Sequence, residues 1–131
     1  MNMKYGSTVS SPRDYATTIE HTKAALKEYG FGVLCEIDVA KTLKEKIGAE
    51  MEPYIILGAC NPGFAHKALQ VEPDLGLLLP CNVVVMQQGG KVFVKAIDAH
   101  AMLGVTGNPD LTATAAEVNT LLAKALNDSV A

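Results

Sequence analysis

The sequence is poor in the side chains that grip phosphate. It has a single arginine, Arg13, and its 11 Lys and Arg together face 14 Asp and Glu, for a formal net charge of −3. Nucleic-acid binding draws on clustered cations, so no nucleic-acid partner is expected. Long apolar runs are missing too: none approaches the roughly 18 residues of a membrane helix, so no bilayer span is expected. The segment Met1-Asn2-Met3-Lys4-Tyr5 carries no apolar stretch of the secretory kind, which points to the cytoplasm. Cysteine is sparse. Cys35, Cys60 and Cys81 are too few and too widely spaced for a disulfide scaffold, CxxC is absent, and reduced thiols are expected. No P-loop, GxGxxG, GxSxG or HExxH occurs, and no carboxylate pair stands out for glycosidase-type chemistry.

What remains is apolar. Of 131 residues, 49% are hydrophobic and only 19% charged, too rich a mixture for a disordered chain. No linker or low-complexity tract divides the chain, so one domain over residues 1–131 is expected. Lys4–Ser10 reads as a strand. Ser11-Pro12-Arg13-Asp14 opens a helix with Ser11 as cap, and Tyr15, Ile19, Thr22, Leu26 and Tyr29 form its buried stripe up to Gly30. Phe31, Val33, Cys35 and Ile37 then alternate with Gly32, Leu34, Glu36 and Asp38, a strand with the first set inward. Asp38 caps a short helix closed by Gly48. Pro53–Ala59 reads as a buried strand, and Asn61-Pro62 starts another helix. Asn82–Gln87 and Lys91–Asp98 form a hairpin around Gly89-Gly90, and Pro109-Asp110 leads into a last helix with a Leu111, Ala115, Val118, Leu122, Ala125 stripe. The expected class is α+β: a curved, mostly antiparallel sheet of about five strands, two long helices and short helical insertions. The hairpin is apolar on both alternating faces apart from Lys95, so helices cover both sides or a second subunit covers one.

Chemistry concentrates in Gly58-Ala59-Cys60-Asn61-Pro62 and Pro80-Cys81-Asn82, two Cys-Asn dipeptides at strand ends. If the strands are neighbours, both thiols meet at one sheet edge. Cys60 just before the Asn61 cap would then have its thiolate favoured by the helix N-terminus, and the same N–H groups could instead hold an anion. Packing thiols and a capping Asn explain the same residues without chemistry. His66 lies in the helix that follows, and Cys60, Cys81 and His66 together would offer ligands for zinc, copper or haem iron. Cys35 reads as a core thiol, His21 as a surface residue, and His100, two residues after Asp98, as a turn residue or half of an acid–base couple.

These two Cys-Asn segments, together with Gly30-Phe31-Gly32-Val33-Leu34 running into Glu36-Ile37-Asp38, resemble a widespread bacterial and archaeal domain-of-unknown-function family, from about Lys4 to Leu126. The resemblance implies an α+β fold similar to the TATA-box-binding-protein-like class and members that occur as dimers. It implies no reaction and no cofactor, and it carries over Gly58, Cys60, Asn61, Pro62, Pro80, Cys81 and Asn82 as a signature. A cytoplasmic, homodimeric ligand-binding or accessory module sited at that edge is the expected function. Thiol redox by Cys60 and Cys81, or metal or haem binding with His66, are the alternatives.

Overall fold

The computed structural model describes residues 4–131. Five strands form one antiparallel sheet in the order β1-β5-β4-β3-β2: β1 (Gly6–Ser11), β2 (Gly32–Asp38), β3 (Tyr54–Cys60), β4 (Cys81–Gln88) and β5 (Lys91–Ile97). β2 to β5 follow one another across the sheet, and β1 closes it by pairing with β5. Among the described residues the helices are α1 (Tyr15–Glu28), α2 (Val39–Ile47), α3 (Pro62–Val71), α4 (Ala99–Gly104) and α5 (Thr112–Ser129). The α+β antiparallel architecture expected from the sequence is the one found.

Strand alternation divides the sheet into two unlike faces. Ile55, Leu57, Ala59, Cys81, Val83, Val85, Val92, Val94 and Ala96 are buried in one cluster with Leu26, Val118, Leu122 and Leu126 of α1 and α5. The opposite face presents Tyr54, Ile56, Val84, Met86, Phe93, Lys95 and Ile97, each half-buried. This is the origin of the doubly apolar hairpin: helices take one side, and the other is open.

The helix caps follow local chemistry. Asp38, Asn61 and Asp98 accept backbone N–H bonds at the starts of α2, α3 and α4, and Gly48 ends α2 in the left-handed conformation. The α1 cap is Asp14, which accepts from the Thr17 N–H at 2.7 Å, rather than the expected Ser11. Ser11 still belongs to β1, and its hydroxyl bonds Thr18 instead.

β2 corrects a second expectation. Val33 pairs with Ala59 and Cys35 with Gly58, so Leu34 is an extra residue bulging from the ladder. The bulge reverses the alternation beyond it. Glu36, opposite Leu57, now faces the helices and meets Lys23 of α1 at 2.8 Å. Cys35 and Ile37 turn to the open face, and Cys35 is an exposed thiol, not a core one.

Candidate functional site

The end of the sheet where β2 starts, β3 ends and β4 starts gathers the signature residues. Gly58 has no room for a side chain: an added Cβ would lie 2.5 Å from Cys35 Sγ and 3.0 Å from the Pro80 ring. Asn61 accepts from the Phe64 N–H at 3.3 Å, while its amide nitrogen lies over Gly30, where a Cβ would approach to 2.9 Å. Gly30 also has φ +88°, which L side chains rarely adopt. Pro62 fills the first position of α3. The glycines, Asn61 and both prolines thus fix how three strand ends and a helix start fit together.

The two Cys-Asn motifs do converge. Cys81 pairs with Ala59, the residue before Cys60. Cys60, Asn61, Pro80 and Cys81 line one chamber between α3 and the sheet, walled by Phe31, Phe64, Leu75, Leu79, Met102 and Val118. Its volume is about 30 Å³, room for one or two water-sized groups. Cys60 is half-buried and Cys81 buried. Burial pushes the Cys81 thiol up to about 11, and the neighbouring Cys60 adds to the rise, so Cys81 is protonated at neutral pH. A low dielectric without a compensating cation produces that direction.

Other sequence candidates separate from this chamber. His66 lies on the exposed side of α3, with its Nε2 3.4 Å from the Gln70 amide nitrogen. Among the described residues no three His, Cys, Asp or Glu side chains gather as a metal-holding group, so the Cys60, Cys81 and His66 set of the metal or haem alternative is not brought together. Asn82 is exposed and faces the opposite side of the sheet. His21 is exposed. The His100 backbone N–H donates to Asp98 Oδ1 at 2.8 Å as part of the α4 cap, the turn role.

A second hollow, of about 270 Å³, lies on the open face between Tyr5 and Tyr54, floored by Val84, Met86 and Ile97 and carrying Asn82 and Lys95. Sequence reasoning did not place a site there. The available signal was Lys95 itself, a cation interrupting an otherwise apolar hairpin.

Fold and site together define a small two-layer α+β domain with one open sheet face and an apolar, thiol-lined chamber. The chain belongs to the family described as Domain of unknown function DUF302, whose model matches residues 7–129. It is also similar to the crystal structure of an uncharacterized conserved DUF302 protein from Bacillus stearothermophilus, at 32% identity and a TM-score of 0.91. That match covers 97% of this chain and 99% of the other. No curated protein matches it. No helix among the described residues is long and apolar enough to cross a membrane.

Proposed function

We propose that this chain is a small, cytoplasmic, homodimeric binding module whose ligand site is the chamber under α3. One observation carries the reading: Cys60 and Cys81, 21 residues apart in sequence, line the same apolar space together with Asn61 and Pro80. Its walls supply shape and soft sulfur contacts, and the buried thiol, held protonated, supplies no charge. That composition favours holding a small apolar group. α3 buries only Ala68, so it is the wall that can yield to a larger occupant. Xenon, which enters dry apolar cavities, is the direct probe. Under xenon, amide resonances of Ala59–Ala65 and Leu79–Cys81 should shift, and alkylation of Cys60 should slow. Unchanged resonances and an unchanged alkylation rate would remove the proposal. A Cys60–Cys81 disulfide formed readily on mild oxidation would favour the thiol-redox alternative instead.

The dimer is argued from β2 and α2. Neither element contains a buried residue, and Leu34, Ile37, Ile47 and Met51 stand exposed on or beside them. A nine-residue helix with nothing buried is marginal alone, and an unpaired strand edge invites another strand. An isologous partner satisfies both, since a two-fold axis matches an antiparallel edge with itself. Sedimentation should give twice the 13.8 kDa chain mass, and Ile47→Asp should shift it toward monomer. A wild-type monomer at micromolar concentration refutes this interface.

A further inference from the structure

We infer that the open-face groove is a second binding site, selective for a small amphipathic monocarboxylate. The groove lies on the side of the sheet opposite the chamber and toward the β1 edge, away from β2 and α2. Lys95, half-buried, stands in register with Val84 on β4. Beside that pair, Asn82 faces Gly58 on one side, and Gly6 faces Ile97 on the outer side. Gly6 puts no side chain at the outer end of this row, Cys35 and Pro80 crowd Gly58 at the other end, and Tyr5 and Tyr54 line the hollow as walls.

The charge pattern selects the ligand. Among the described residues, no carboxylate lies within ion-pair distance of Lys95, and Asn82, Tyr5 and Tyr54 make no side-chain hydrogen bond. A lone ammonium over an apolar floor calls for one negative charge, and the Asn82 amide is a neutral donor beside it. Dianionic phosphate is normally held by several cations or a cluster of backbone N–H groups, and this groove offers one Lys. Val84, Met86, Ile97 and the tyrosine rings suit an aliphatic or aromatic body, and about 270 Å³ falls just below the usual range for drug-sized ligands. The geometry therefore points to a compact organic acid such as a medium-chain fatty acid or an aryl carboxylate.

The test uses octanoate and benzoate, with octanamide and benzamide as neutral counterparts. Titration followed by amide resonances should perturb Tyr5, Tyr54, Asn82 and Lys95, and added salt should weaken binding. Replacing either charge should cost about tenfold in affinity: carboxylate by amide in the ligand, or Lys95→Met in the protein. The amide comparison needs no variant, so misfolding of Lys95→Met cannot obscure the result. Absence of binding, equal binding of acid and amide, or shifts confined to the Cys60 chamber would each overturn the inference. A sedimenting mass that changes in Lys95→Met would put a second copy of the chain on this face and overturn it as well.

Discussion

Gly58 shows how much of the signature is fit. Adding a methyl there meets Cys35 Sγ and the Pro80 ring, so Gly58→Ala should destabilise by about 1–2 kcal/mol through overpacking. Cys35→Ala in the same chain should recover part of that loss, because one of the two obstructing atoms is gone. Denaturant midpoints of the two single variants and the double variant measure the coupling, and strict additivity would show that the contact is not responsible. Cys81 gives a pH effect. Its folded pKa of about 11 lies above the ordinary thiol value of 9.0, so the folded state keeps the proton longer. The stabilisation is complete below pH 9 and is lost as pH rises to about 11, by at most about 2–3 kcal/mol. Cys81→Ala should flatten that part of the stability profile. The Cys-Asn convergence was legible in the sequence because each motif sits at a strand end with its own cap or turn chemistry. The orientation of Cys35 was not, because the Leu34 bulge depends on pairing with β3 and leaves no mark in the alternation of β2 itself.

Caps were the most readable features among the elements, since Asp38, Asn61 and Asp98 act on N–H groups only two or three residues away. What could not be read was the tertiary support behind them. Asn119, the residue after Val118 in α5, accepts from the buried Ala99 N–H at 2.7 Å and donates to Asp98 Oδ1 at 3.0 Å. Asn119→Ala leaves that N–H unpaired and should cost about 1–3 kcal/mol. Asp98 is held below the usual carboxylate range, first by Asn119 and then by the His100 and Ala101 N–H groups. Its contribution is present at neutral pH and is lost as the solution is acidified through the folded pKa. The variant should therefore lose less stability than the wild type on going to acid. An identical acid limb in urea unfolding would sink this account. Ser11 misled for a related reason: Asp14 is the stronger local acceptor, and β1 uses Ser11 for the sheet and for Thr18.

Across the whole molecule, the apolar fraction announced a surplus of buried-type side chains, and the sheet shows where it goes: one face is covered by helices and one is left open. The sequence carried the alternation but not the choice of face to cover, because that follows from how α1 and α5 pack on each other across almost the full chain. Tyr29 reaches Asp128 at 2.6 Å, and β1 touches no strand but β5. Among β2 to β5, by contrast, every pairing joins strands consecutive in sequence. This sets an order of assembly. The four-strand meander joins sequence neighbours and can form early, while β1 waits for β5 at the far side of it, because long loops close last. Hydrogen exchange in the native state should find β1 opening at lower free energy than β3 and β4. Protection in β1 equal to that of the central strands would mean that the sheet assembles as one unit. During synthesis, β1 would then emerge long before β5, the strand against which it folds.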